Sequence, residues 1–283
     1  MRKSLIKFVS TVAFSTLVPF HAASALTNNA LEAMPEHSST IVEIMESLKL
    51  SHYKRLEVND ALSHKLLNQY LDDLDPSRSY FYQADIEQFK QYDSTLDDAL
   101  LDGDLKAAYE IFNLFQERSD ERLNYALKLL ESDFKFDFTR EETLTADRSE
   151  SAWITSREAM DDLWRKRIKS ALLNLKLADK TEVEARDILI KRYQNQQSRS
   201  HQVNTEDVFQ SYANALTSQY DPHTQYFSPR RSENFQINMS LSLEGIGAVL
   251  QQEDDYTKVV RLVPGGPAAT QSELSPNDKI VAV

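Results

Sequence analysis

Glycine limits the fold of this chain more than any other residue, because of where it is missing. The 283 residues hold five glycines. Gly103 stands alone in the first 244 positions, and Gly245, Gly247, Gly265 and Gly266 all fall in the last 39. Glycine is scarce where helices run on, and common where strands turn or two backbones come close. The distribution therefore predicts a long helical region followed by a short β-rich one.

Apolar spacing in the first region agrees. Ile41, Ile44, Met45 and Leu48 recur at helical intervals, as do Leu62, Leu66, Leu67, Tyr70, Leu71 and Leu74 behind an Asn59 cap. From Leu105 to Leu130 the pattern holds for about seven turns, with Gly103-Asp104 at its expected start. Thr155 with Glu158 and Thr181 with Glu184 read as capping boxes, and Thr205 as the cap of a further helix ended by Asp221-Pro222. Segment 131–154 is acidic and weakly periodic, and reads as a long connection. No fixed-period repeat is evident.

The pattern changes at residue 236. Ile237, Met239, Leu241 and Leu243 alternate with Asn238, Ser240 and Ser242, the period of a half-buried strand. Ala248-Val249-Leu250 and Lys258–Val263 are further strand candidates. Pro267 opens a short helix after the Gly265-Gly266 turn, and Asp278–Val283 begins another strand. About 48 residues make a marginal sheet, so the β-unit reads as truncated.

Arg2, Lys3 and Lys7, the apolar run Phe8–Phe20 and Ala23-Ser24-Ala25 follow the order of a secretory signal peptide, giving segments 1–25, 26–235 and 236–283. The apolar run is short for a membrane anchor, and no stable membrane insertion is expected after cleavage. Without those three basic residues, 29 basic groups face 44 acidic ones, a net charge of −15. Such a surface repels phosphate backbones, which argues against nucleic acid as a partner. There is no cysteine, and so no disulfide or thiolate metal site. No metal and no cofactor are expected.

Catalytic motifs are sparse. Neither G-x-S-x-G nor H-E-x-x-H occurs. Ser51/Lys54 and Ser132/Lys135 match S-x-x-K, a pattern short enough to arise by chance. Asp221, His223 and Ser228 lie close in sequence and invite a triad, but triads assemble in space; helix exit and packing account for these residues better. The strongest candidate is Glu244-Gly245-Ile246-Gly247-Ala248. A G-x-G between apolar stretches can turn successive N–H groups toward one point and hold an anion, including the carboxylate of a peptide C-terminus. Gly245, Ile246, Gly247 and Ala248 would bind that carboxylate, and the strand through Val249 and Leu250 would form the groove. A plain hairpin or bulge is the competing reading.

Asp221–Arg230, then Met239–Gln251, Asp254–Thr257 and Gly265–Ala269 closely resemble the tail-specific proteases of Gram-negative bacteria, also called C-terminal processing peptidases. The resemblance implies a mostly α N-terminal domain followed by a truncated α+β PDZ-like domain, in a periplasmic protein. It implies recognition of apolar C-terminal tails by the PDZ segment and cleavage by a serine activated by a lysine, both in a later domain. It also implies an adaptor protein on the helical domain. No catalytic residue carries over onto this chain, which is expected to be inactive by itself. A non-catalytic periplasmic peptide-binding or scaffold protein is the alternative, and a helical structural protein without a peptide site a third.

Overall fold

The structure, a computed structural model, describes residues 30–240, 245–253, 256–271 and 273–281. The expected leader at 1–25, Leu241 and Leu243 of the expected strand, and Glu244 lie outside the described residues.

Ten helices appear among the described residues: α1 (Pro35–Ser51), α2 (Asp60–Leu74), α3 (Gln83–Phe89), α4 (Leu96–Asp102), α5 (Lys106–Glu131), α6 (Arg157–Leu177), α7 (Glu182–His201), α8 (Thr205–Thr217), α9 (Pro229–Ser240) and the short α10 (Pro267–Gln271). Three strands, β1 (Ala248–Glu253), β2 (Tyr256–Leu262) and β3 (Lys279–Ile280), form an antiparallel sheet in the order β1-β2-β3. This is the expected class, a helical body followed by a small α+β segment. None of the described helices is long and apolar enough to cross a membrane.

Two apolar cores share one helix. At about 1.5 Å per residue, α5 is roughly 39 Å long. Its first half, with Ala108, Ile111 and Phe112, joins α1, α2, α4 and α8 around Ile41, Leu66, Leu100 and Phe209. Its second half, with Leu123, Ala126 and Leu130, packs against α6 and α7 around Met160, Trp164, Ile168 and Leu189. The first core holds 25 buried apolar residues and the second 11, whereas in the β-unit only Val259 and Ala268 are buried among the described residues. At about 1.5–3 kcal/mol for each large side chain fully buried, the stabilisation lies overwhelmingly in the helical body.

Local chemistry explains the helix ends. Asn59 Oδ1 accepts from Ala61 N and Leu62 N, and Thr181 with Glu184 closes the expected capping box. Two caps sit one residue from their expected places: Ser156 Oγ, not Thr155, accepts from Ala159 N, and Asn204, not Thr205, caps α8. In both, the neighbouring residue has the extended backbone and side-chain oxygen that a cap needs. Gly103 ends α4 in the left-handed conformation, φ 73°, and a Cβ there would stand 2.7 Å from Ser38 O of α1. The one glycine of the helical body is thus required twice, by its φ and by a neighbouring backbone.

The strand expected from Ile237 is a correction: Ile237–Ser240 belongs to α9. Proline suits a first helical position, as Pro229 occupies here, and Ser232 N donates to Ser228 O at 2.8 Å. A helix satisfies its backbone within itself, whereas a strand needs a neighbour. The alternation of Ile237 and Met239 follows no buried face; α9 buries no residue, and Phe235 and Met239 are exposed.

Candidate functional site

The six residues singled out for peptide binding form one continuous loop and strand. Gly245, Ile246 and Gly247 make a bend that enters β1 at Ala248, with Val249 and Leu250 following. Two backbone bonds orient the bend. Ala268 N, at the start of α10, donates to Ile246 O at 2.9 Å, and Val263 N donates to Gly247 O at 2.7 Å. No peptide bond among the described residues is cis. In a trans peptide the N–H points opposite to the carbonyl of the preceding residue. The Gly247 N–H therefore faces away from α10, and the Ala248 N–H away from β2. Among the described residues β1 is the edge strand, so the Ala248 N–H opens onto its free side.

Glycine is needed at this crossing. Gly247 has φ 73°, and a Cβ on it would meet Gly266 Cα at 2.9 Å. The two glycine backbones pack face to face, and that contact brings the bend against the Gly265-Gly266 turn. Ile246 is 50% exposed and Leu250 42% exposed, so two large apolar side chains stand open beside the free edge. A register shift between Val249 and Leu250 marks a β-bulge in the pairing with β2, and such a bulge twists its strand and re-aims side chains.

The Asp221-His223-Ser228 triad does not assemble. Asp221 Oδ1 accepts from the backbone of His223 at 2.6 Å and of Thr224 at 3.0 Å, and Ser228 N donates to Gln210 Oε1. The imidazole that reaches Asp221 is that of His52, whose Nε2 lies 2.8 Å from Asp221 Oδ2 and 3.1 Å from Thr224 Oγ1. Acid and hydroxyl share one ring nitrogen, so His52 cannot relay a proton from the hydroxyl at one nitrogen while the acid orients the other. The arrangement is an anchor. The Thr224 hydroxyl foremost, then the His223 N–H and His52, hold the Asp221 carboxyl down at about 2. The S-x-x-K residues serve backbone groups: Lys54 Nζ donates to Gln219 O, and Ser132 Oγ to Leu129 O.

Asp221 begins an extended strap from α8 to α9. It runs back along α8, where Glu206, Gln210 and Asn214 recur at every fourth residue. Asn214 Oδ1 accepts from Tyr226 N at 2.8 Å, Gln210 Oε1 from Ser228 N at 3.1 Å, and Glu206 Oε1 from the Tyr226 hydroxyl at 3.2 Å. Glu206 also meets buried His37 of α1, whose ring stacks on Phe209 at 4.5 Å. A signal for this strap was present in the sequence. Asp221-Pro222-His223-Thr224-Gln225-Tyr226-Phe227 repeats the pattern D-P-x-x-x-Y-F of Asp75-Pro76-Ser77-Arg78-Ser79-Tyr80-Phe81, which follows α2. Asp75 is fully buried and accepts from the backbones of Ser79, Tyr80 and Phe81.

Comparison with known proteins adds identity to this geometry. Residues 44–230, the helical body and its exit strap, match the family described as Tail specific protease N-terminal domain. The chain is also 39% identical over 237 residues to the tail-specific protease of Haemophilus influenzae (strain ATCC 51907 / DSM 11121 / KW20 / Rd), an alignment that covers 83% of this chain and 34% of that protein. The chain thus spans about a third of the length of the curated relative it matches. A match over most of the helical body, with identity at this level beyond it, places the chain in the tail-specific protease family.

Proposed function

We propose that the chain is the N-terminal portion of a periplasmic serine-type C-terminal processing endopeptidase, and that residues 245–250 recognise apolar C-terminal tails of substrate proteins. Cleavage is assigned to a Ser/Lys pair in a later domain of the longer protein, with no catalytic residue in this chain. The observation that carries the reading is the Ala248 N–H on the free edge of β1 with the Gly247 N–H turned away from α10 beside it, flanked by exposed Ile246 and Leu250. A terminal carboxylate placed at that bend accepts two charge-assisted hydrogen bonds, roughly twice as strong as neutral ones. The residues before it continue as an added strand beside β1, and the last side chain lies between Ile246 and Leu250.

The reading makes the free carboxylate indispensable. Titrated into the chain and followed by calorimetry, a peptide ending in apolar residues should bind as the free acid and fail to bind as the C-terminal amide. Equal binding of the two would leave the helical body as the functional part and favour a non-catalytic scaffold. Gly247→Ala should abolish binding, since its Cβ collides with Gly266. The purified chain should leave the free-acid peptide uncut, and cleavage that survives removal of contaminating protease would contradict the assignment of the active site to a later domain.

A further inference from the structure

The connection from α5 to α6 is fixed at both ends and held in the middle by one side chain. At its start Arg186 of α7 donates to Leu130 O at 2.7 Å and to Phe134 O, and Phe136 is buried in the second core. At its end Arg148 donates to Ser77 O at 3.2 Å and to Arg78 O at 3.3 Å, and Gln83 N donates to Ile154 O at 2.8 Å. Between these anchors every residue from 139 to 147 is exposed except Glu142, whose side chain is 9% exposed.

Glu142 turns inward onto α6. Arg165 Nη1 donates to its carboxylate at 3.1 Å and Lys169 Nζ at 2.6 Å, and Lys169 Nζ also reaches Arg140 O at 3.0 Å. Among the described residues no other hydrogen bond or ion pair joins 139–147 to a helix. Arg165 foremost, then Lys169, hold the Glu142 carboxyl down at about 2, so it stays charged through the neutral range. Asp162 steadies the receiving face, pairing with Arg165 and Lys166 at 2.8 Å each. Beneath the segment there is space instead of a packed core. A cavity of about 420 Å³ lies between Phe138 and Leu144 on one side and Lys166, Ser170 and Leu173 of α6 on the other. Leu177, one turn on from Leu173, is 75% exposed.

From these observations we infer that residues 139–147 form a flap over α6, held shut by the Glu142 carboxylate and released when salt breaks its contact with Arg165 and Lys169. Segments with few buried contacts open at low cost without global unfolding, and the two anchored ends keep the cores intact. Release uncovers the rest of Leu173 beside Leu177. It turns the cavity into an open apolar groove with two freed cations on its wall.

The test uses the whole chain. It has no cysteine, so Ser170→Cys places a single thiol in the cavity under the flap. Its rate of reaction with a bulky maleimide is divided by that of Ser39→Cys, an exposed position on α1, which removes the effect of salt on the thiol itself. At low salt the thiol under the flap should react about tenfold more slowly than the exposed one, and adding Glu142→Gln should remove about that factor. Raising NaCl from about 0.1 to 1 M shortens the screening length from about 10 to 3 Å and should raise the ratio several-fold, with the helical circular dichroism unchanged. The salt series keeps Glu142, so it stands even if Glu142→Gln does not fold. The proposal is overturned if the two thiols react alike at low salt. It is equally overturned if salt or a folded Glu142→Gln chain leaves the ratio unchanged, or if the ratio rises only as helical signal is lost.

Discussion

Two residues carry more of the structure than their size suggests. Gly103 lies in the left-handed region with Ser38 O where its Cβ would be, so Gly103→Ala adds strain and a backbone clash together. The expected loss is about 1–3 kcal/mol, read as a lower midpoint in urea with an unchanged slope. Asp221 is the second. Its carboxyl is held at about 2, below the roughly 3.9 of an unfolded aspartate. A depressed carboxyl contributes stability that is present above the unfolded value and is lost as pH falls through the folded one. The difference in Tm between the wild type and Asp221→Asn should therefore stay constant from neutral pH to about pH 4 and shrink between about 4 and 2. The contact of Asp221 with His52 was invisible in the sequence: the two residues are 169 apart, and the nearby His223 drew attention to the wrong ring.

At the scale of elements, legibility followed length. The helices α2, α5 and α6 bury one face over four or more turns, so their apolar period could be read. With seven residues each, α3 and α4 are too short to show a period above chance. The misread element, α9, buries nothing, so its alternating Ile237 and Met239 answered to no core. The bend at Gly245–Gly247 was found because glycine there serves backbone geometry, which composition exposes directly. What composition could not give was the direction of its N–H groups, fixed by the distant Val263 and Ala268. Caps offer a test at this scale. Thr181 Oγ1 accepts from Glu184 N and donates to the Glu184 carboxylate, and Thr181→Ala should cost about 1 kcal/mol in thermal or chemical unfolding. Thr155→Ala should cost far less, because Ser156 holds that cap.

For the whole molecule, unequal burial predicts unequal protection. Two buried apolar residues hold the described β-unit, against 36 in the two helical cores. Native-state hydrogen exchange should show β1–β3 amides opening at low free energy while those of α2, α5 and α8 exchange only near global unfolding. Matching protection in both would mean that the β-unit draws stability from the helical body. Within that body the two cores share α5, so one cooperative transition is expected, and a Leu123→Ala substitution should lower it as a whole by about 2–5 kcal/mol. Separate transitions for the two cores would contradict this.

The contact of His37 with Glu206 also has a consequence in time. The partners lie 169 residues apart, and α1 finds its neighbour on α8 only once both have been made. At a synthesis rate of roughly 5–20 residues per second, the first helix gains α4 as a neighbour within several seconds but waits on the order of ten to thirty seconds for its contact with α8. For that interval buried His37 lacks the carboxylate that it meets in the finished fold. The helical body joins its first helix to a late one, so no nascent chain that ends before α8 can complete that contact.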